Sequence, residues 1–372
     1  MEKEIGGVQL IYYILLHLIL LSWTIFNSLS MPRLGRHSEI TPSVAVLVPM
    51  RNEEKNVEEL LHSLQKLTYK NLRFVILDDG SSDTTWEKLT AASQKDSRLS
   101  IHKGSPLPEN WVGKVYACHQ LSMLAEEEFL LFLDADVRVS PDLVQETLYN
   151  FKKNTGLVTG FPHIPLKSIL GHLLIPMQHF LVFFHLPVLL SNLTTWSQAS
   201  AAHGAFMMFR ASAYRSIGGH FSVKNSLVED IHIARVLKTS GWRVRLVNVT
   251  GSVSCHMYNT SKEVWKGFSK NFFPGLGRSL PAAILFIFFY TLVFLVPVPA
   301  AVTGVVTGNY LLLLPLVLTF FLKLTIDLIT KQKFWLAFFF PLSVMAAFII
   351  LIYSISLSIT KQGFTWKGRT YQ

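Results

Sequence analysis

Cysteine is scarce in this chain: Cys118 and Cys255 are the two present among 372 residues. Two thiols so far apart offer neither a disulfide framework nor metal-ligand spacing, and they read as reduced and buried. Acidic residues are also in short supply, with 24 Asp and Glu against 34 Lys and Arg, a net charge of +10. Such an excess suits nucleic acid or an anionic membrane surface. The basic residues are dispersed and adjoin apolar runs instead of forming a stripe with stacking aromatics, which argues against nucleic acid. The chain also lacks the polar balance of a soluble enzyme: half of it is hydrophobic, and its mean hydropathy is +0.36. These features describe a membrane protein with a sizeable soluble part.

The apolar runs define the plan. Gln9 to Ser28 holds no acidic or basic side chain except His17 and is long enough to span a bilayer. It is too long for a signal peptide, and no clear small-residue cleavage site follows. Arg33, Arg36 and His37 come next, so the positive-inside rule places the following domain in the cytoplasm. Leu170 to Leu190 is apolar but broken by Pro176 and Pro187; it reads as an interfacial or buried helical segment, with a full span as the alternative, and with His163, His172, His179 and His185 interfacial and not ligands. From Leu280 onward two spans are expected at roughly 281–302 and 309–328, with Lys323 and Asp327 four apart and able to pair on a helix. A third apolar segment runs from Phe334 to Ile359. The expected domains are an N-terminal transmembrane helix (1–30), a catalytic domain (42–275), C-terminal transmembrane helices (280–360) and a basic tail (361–372). The expected location is the cell membrane, multi-pass. One conflict stands: three late spans would put the tail, with Lys361, Lys367 and Arg369, outside. Either the rule is broken or one segment is re-entrant.

Between 42 and 275 strand and helix signals alternate. Val44 to Val48, Leu72 to Leu77, Leu99 to His102 and Phe129 to Leu133 read as strands, and Asn56 to Leu67 and Lys114 to Leu124 as helices, with a further helix starting at Asp83 capped by Ser82 or Asp83. This alternation predicts an α/β fold with a mainly parallel sheet covered on both faces. Strand ends carry the chemistry. The first expected strand ends in Pro49-Met-Arg51-Asn-Glu53-Glu54, the second in Asp78-Asp79-Gly80-Ser-Ser-Asp83, and the run Phe129 to Leu133 in Asp134-Ala-Asp136. Ligands bind beyond the carboxyl ends of strands in open α/β sheets, so the three clusters share one edge. Two Asp one residue apart can hold a hard divalent cation that also grips phosphate. Asp78 or Asp79 can accept hydrogen bonds from a nucleobase or ribose, and Gly80 allows a tight turn. Trp111-Val-Gly113-Lys114 offers an ammonium for phosphate. Glu229-Asp230, ahead of the amphipathic set Ile231, Ala234 and Leu237, reads either as a helix cap or as a general base. His203 and His256 could complete a metal shell or serve as structural histidines. The sequons at Asn192, Asn248 and Asn259 carry no meaning in a cytosolic domain.

The ordered set Pro49-x-Arg51-Asn-Glu53, Asp78 to Asp83, Gly113-Lys114, Asp134-x-Asp136, His203-Gly204 with Arg210, Gly218-Gly219 and Glu229-Asp230 resembles a family 2 glycosyltransferase. That resemblance implies a GT-A (Rossmann-like) fold, a UDP-sugar donor, and Mg²⁺ or Mn²⁺ at Asp134 and Asp136. It also implies donor contacts from Pro49, Arg51, Glu53, Asp78, Asp79, Lys114 and Asp134. Asp230, with Glu229 beside it, would be the base of a single inverting displacement. The membrane layout and the tail Trp366-Lys-Gly-Arg369-x-Tyr371 resemble the bacterial carotenoid glycosyltransferases. They imply glucose as the sugar, a carotenoid acceptor such as diaponeurosporenoate, and other enzymes of that pathway as partners. Polyprenyl phosphate, ceramide or diacylglycerol are alternative acceptors, and a non-catalytic scaffold is the alternative of a different class. The processive synthases' Gln-x-x-Arg-Trp motif is missing; Glu263-Val-Trp265-Lys-Gly-Phe-Ser-Lys270-Asn271 stands there. This argues against polymer synthesis and leaves Trp265 and Lys270 as stand-ins on the acceptor side.

Overall fold

A computed structural model describes residues 2–360, 364–366 and 369–371, with side chains from Gly7 to Thr360. Lys361 and Lys367 of the basic tail lie outside the described residues; Phe364–Trp366 and Arg369–Tyr371 pair antiparallel. The strands are β1 (Val44–Met50), β2 (Leu72–Asp78), β3 (Leu99–Lys103), β4 (Phe129–Leu133), β5 (Val137–Val139), β6 (Thr155–Thr159), β7 (Phe206–Arg210), β8 (Arg243–Leu246) and β9 (Val253–Cys255). The helices of the catalytic region are α2 (Val57–Gln65), α3 (Thr85–Ser93), α4 (Gly113–Met123), α5 (Leu143–Tyr149), α6 (Ile169–His185), α7 (Val188–Leu193), α8 (Ala211–Ser216), α9 (Glu229–Thr239) and α10 (Ser261–Gly275). Flanking them are α1 (Glu2–Leu29), α11 (Leu280–Tyr290), α12 (Pro297–Thr307), α13 (Leu314–Ile329) and α14 (Phe340–Ile359).

Seven strands form one sheet in the order β3-β2-β1-β4-β7-β6-β8. β1 runs parallel to β2 and β4, β2 to β3, and β6 to β8; β7 runs antiparallel to both of its neighbours. The sheet is mainly parallel, as the alternation predicts. The period-two side-chain rule divides β1 between two cores. Val44, Val46 and Val48 join Leu60 and Leu64 of α2 and Leu143 and Val144 of α5. Ala45 and Leu47 join Val115 of α4, Ala213 of α8 and Ile233 of α9. Burying each such Val, Leu or Ile is worth about 1.5–3 kcal/mol. Met50 is in register with Asp78, so the acidic ends of β1 and β2 reach the same edge.

Local readings needed two corrections. The helix expected at Asp83 starts at Thr85, with Thr84 as its cap. Asp83 stands before it and accepts the Thr85 N–H (3.0 Å) and hydroxyl (2.5 Å). The acidic pair does not precede its helix: Glu229 and Asp230 are the first two residues of α9. Leu170 to Leu190 divides between α6, with Pro176 inside it, and the short α7 after Pro187.

Four segments are long and apolar enough to cross a membrane: Gly7–Leu29, Leu280–Thr307, Tyr310–Ile329 and Phe334–Ile359. Lys323 and Asp327 are buried on α13 and form the expected pair. The catalytic domain is tied to the bundle through the loop after β8. The Asn248 N–H donates to Pro32 O (2.8 Å), and its side-chain amide donates to Ile329 O (2.9 Å). The Asn192 amide, buried, exchanges two hydrogen bonds with the backbone of Leu246, at 2.9 and 2.7 Å. Two of the sequons are therefore backbone clamps.

Lys238, on α9, is buried at 1% exposure. Its ammonium donates to the carbonyls of Ser191 (2.7 Å), Ala199 (2.5 Å) and Trp196 (3.4 Å). It thus holds the loop that leads from α7 to Gly204. Replacing it with Met would strand those carbonyls without the donor. Lys238→Met is expected to lower unfolding stability by about 1–3 kcal/mol, measured as a fall in melting temperature in detergent.

Candidate active site

The loops after β1 and β2 are laced together. Arg51 donates to the carbonyls of Asp79 and of Gly80, the latter at 3.1 Å. The Asn52 N–H donates to Ser81 Oγ (2.9 Å), the Ser82 N–H to Asn52 Oδ1 (2.8 Å), and the Glu53 N–H to Thr85 Oγ1 (2.8 Å). Gly80 is left-handed at φ +70°, and a Cβ there would meet the Arg51 guanidinium at 3.4 Å, the conformation and close approach that favour glycine. The Asp78 carboxylate accepts the Ser81 hydroxyl and N–H, and both Asp78 and Asp79 are buried at 4% exposure. Asp78 therefore already shapes the turn, a role its position alone does not reveal.

The centre is Lys114, in the first turn of α4. Its ammonium lies 2.7 Å from Asp134 Oδ1 and 3.4 Å from Glu229 Oε1. Burial disfavours the charge, but the carboxylates of Asp134 and Glu229 outweigh it and hold the ammonium well above its ordinary pKa. One lysine thus joins the end of β4 to the start of α9. Gly204 packs against all three charges: a Cβ on it would meet Lys114 Nζ at 2.9 Å, Glu229 Oε1 at 3.3 Å and Asp230 Oδ2 at 3.8 Å. Its N–H donates to Asp230 Oδ2 (3.0 Å). Burial, then the charge of Glu229, pushes the Asp230 carboxyl up to about 7.

Asp136 sits beside β9, which pairs with β5. Cys255 Sγ donates to Asp136 Oδ1 at 3.3 Å, and the His256 N–H donates to the Asp136 carbonyl at 2.8 Å. Burial, then Asp134, raises the Asp136 carboxyl to about 6. Cys255 is the buried thiol expected, and it also orients a site carboxylate. The contact spans 119 residues, so no local signal announces it. His203 turns elsewhere: its Nδ1 accepts the Ala205 N–H (3.2 Å), and its ring packs edge-on against Phe161. Among the described residues no group of three or more His, Cys, Asp and Glu could hold a metal ion unaided. Asp134 and Asp136 supply hard oxygen donors of the kind that bind Mg²⁺ or Mn²⁺ together with substrate phosphates and water. The donor set therefore fits a cation held jointly with a ligand.

The family model for Glycosyl transferase family 2 matches residues 45–218. The matched segment resembles a family 2 glycosyltransferase domain. It is 26% identical over 262 residues to a 4,4'-diaponeurosporenoate glycosyltransferase of Staphylococcus haemolyticus, covering 68% of this chain and 67% of that protein. It is 28% identical over 205 residues to a poly-beta-1,6-N-acetyl-D-glucosamine synthase of Staphylococcus aureus, covering 54% of this chain and about half (47%) of that one. Among solved structures, a mannosyltransferase from Pyrobaculum calidifontis in complex with GDP-Man and Mn²⁺ superimposes with a TM-score of 0.57 at 14% identity, over 95% of this chain and 97% of the other. The α/β domain has the GT-A fold.

The folded Asp230 carboxyl lies above the 3.8 of a free one, so the folded state binds the proton more tightly. Its effect on stability is neutral below about pH 4 and becomes a growing cost as pH rises toward 7, because the unfolded carboxyl ionises there while the folded one keeps its proton. Asp230→Asn is therefore expected to raise the melting temperature above that of the native protein at pH 8 and to leave it unchanged at pH 4. Gly204→Ala drives a methyl into Lys114 and Glu229. A loss of turnover on the order of 100-fold is expected, the cost of misplacing reacting groups by about 1 Å, with cooperative unfolding retained.

Proposed function

We propose that the protein transfers a hexosyl group, glucose by family expectation, from a UDP-sugar to a lipid acceptor, a carotenoid such as diaponeurosporenoate, at the face of a membrane. The observation that carries this reading is Lys114 bridging Asp134 to Glu229. It joins a strand-end carboxylate pair suited to a diphosphate to a buried acid suited to an acceptor. In this reading the turn of Asp78 and Asp79, braced by Pro49, Arg51 and Glu53, receives the uridine and ribose. Asp134 and Asp136 would hold Mg²⁺ or Mn²⁺, which would supply Lewis-acid neutralisation of the diphosphate. Lys114 contributes a fixed positive charge where the leaving group's negative charge develops. Glu229 keeps that ammonium in place.

The acceptor oxygen attacks the anomeric carbon from the face opposite the departing UDP, inverting it, and Asp230 takes the proton of a hydroxyl acceptor. A carboxyl raised toward neutrality is a stronger base than an ordinary Asp and suits that task. A carotenoid carboxylic acid ionises at about 4 and needs no such base, so the site serves a hydroxyl on physical grounds and a carboxylate on family grounds. The relative from S. haemolyticus supports the carotenoid. Arg33 and Arg36, directly after α1, support a cytoplasmic location for the catalytic domain.

The test is a membrane assay with labelled UDP-sugars and separate acceptors: carotenoid acid, carotenoid alcohol, polyprenyl phosphate, ceramide and diacylglycerol. Labelled carotenoid is expected, with a loss of about 100-fold or more for Asp136→Ala. A chelator should abolish transfer, and Mn²⁺ or Mg²⁺ should restore it. Label on a different lipid replaces the acceptor; an absence of nucleotide binding, with Asp136→Ala indistinguishable from native, would leave the scaffold reading.

A further inference from the structure

The last apolar segment, Phe334 to Ile359, is long enough to cross the bilayer, but its contacts describe a different path. The end of α13 is fixed on the catalytic side: Ile329 O accepts from Asn248, and the Lys331 ammonium reaches Gly251, where a Cβ would meet it at 2.9 Å. Trp335 stacks on His172 (5.5 Å between ring centroids) at the start of α6. The 3₁₀ turn Phe334–Phe339 then descends beside α13. Phe338 meets Phe320 at 4.4 Å, and Phe340 reaches Phe180 (4.5 Å) and Phe294 (5.0 Å). From there the chain turns back. Along α14 the partners on α11 run in reverse: Phe348 meets Phe286 at 6.3 Å, and Leu351 clusters with Ala283 and Phe273. Tyr353 lies 5.1 Å from Trp265, and Ser354 Oγ accepts the Phe273 N–H at 3.1 Å. Trp265 and Phe273 belong to α10, which follows directly from β9 and the site. Both ends of the segment are therefore attached to catalytic-domain elements.

Depth agrees with that path. Phe320 lies nine residues before Ile329, roughly 14 Å along the helix, and six 3₁₀ residues descend roughly 12 Å. Either distance is about half of a hydrocarbon core of about 30 Å. α11 and α12, followed by α13, make a full hairpin whose turn, Gly308-Asn309, lies at the end of α13 opposite Ile329.

We infer that residues 334–359 form a re-entrant hairpin seated in the leaflet nearest the catalytic domain, so that the chain crosses the membrane three times and not four. The exposed face of α14, Leu342, Met345, Ile349 and Ile352, each about half exposed, is the surface that meets the acyl chains of that leaflet. α6 and α14 both pack on α10, so a lipid entering along this wedge arrives at the helix next to the site. The charge conflict in the sequence disappears, because the chain leaves the membrane at Thr360 on the side that holds Arg33 and Arg36. Backbone that enters and leaves by one face is compatible with a bilayer because it is buried against protein.

The inference is independent of the reaction and is tested by sidedness. Cys118 and Cys255 are buried, so single cysteines can be introduced into the full chain at exposed positions: Ser97→Cys in the catalytic domain, Asn309→Cys in the far turn, and Thr360→Cys and Ser356→Cys at the end of α14. Sealed vesicles of both orientations are treated with a membrane-impermeant maleimide. Thr360→Cys and Ser356→Cys are expected to react from the same face as Ser97→Cys, at least tenfold more than from the face that exposes Asn309→Cys. Reaction of either from the Asn309 face would establish a full crossing and overturn the inference, as would labelling of Ser97→Cys and Asn309→Cys from one face.

Discussion

The site depends on one ammonium among four carboxylates. Asp134, Asp136, Glu229 and Asp230 converge on a region whose central fixed cation is Lys114, in direct contact with Asp134 and Glu229. Two like charges about 4 Å apart repel by roughly 4 kcal/mol where the effective dielectric constant is near 20. One lysine cannot relieve four such charges. The carboxylates farthest from it respond as electrostatics requires: Asp136 rises to about 6 and Asp230 to about 7. At both, burial is the larger cause; the charge of Asp134 adds to it at Asp136 and that of Glu229 at Asp230.

Backbone topology makes this crowding possible. Parallel β1, β2 and β4 deliver their carboxyl ends to one edge, and antiparallel β7 comes back between β4 and β6, so the segment entering it, His203-Gly204, arrives at the same edge. α9 then supplies Glu229 and Asp230 from its first turn and Lys238 from its last. Lys238 holds the loop that ends at Gly204, and Gly204 donates to Asp230. The circuit closes on itself: the helix that carries the acid also fixes the loop that hydrogen-bonds it.

The parts of this arrangement legible in the sequence are those written in contiguous residues. Phe129 to Leu133 is a five-residue apolar run followed at once by Asp134, and β1 and β2 are nearly as plain. The short β6, Thr-Gly-Leu-Val-Thr, and β8, Arg-Val-Arg-Leu, carry too little pattern to be read. The direction of β7 is a tertiary property with no local signature. Asp83 misled because an acid before a helix reads as its cap, whereas the carboxylate reaches forward to Thr85 from one residue farther back. Cys255 was invisible as a site residue for a different reason: what it touches lies far away in the chain, and spacing holds no record of it.

The membrane-facing half shows the same division between composition and contact. Hydropathy identifies Phe334 to Ile359 as apolar and long, and nothing in composition separates a crossing from a return. Aromatic pairings do, because each fixes a level: Phe338 to Phe320, Phe340 to Phe294, Phe348 to Phe286. The geometry has a consequence for chemistry. α10 packs on α14, and burial lowers the pKa of its Lys270 while the charge of Glu229 opposes that shift. In the proposed reading a water-soluble donor approaches the exposed loop edge and a lipid approaches from the leaflet side, with Lys114 serving the donor and Asp230 the acceptor, so the charge balance that organises the site also separates the two substrates' routes to it.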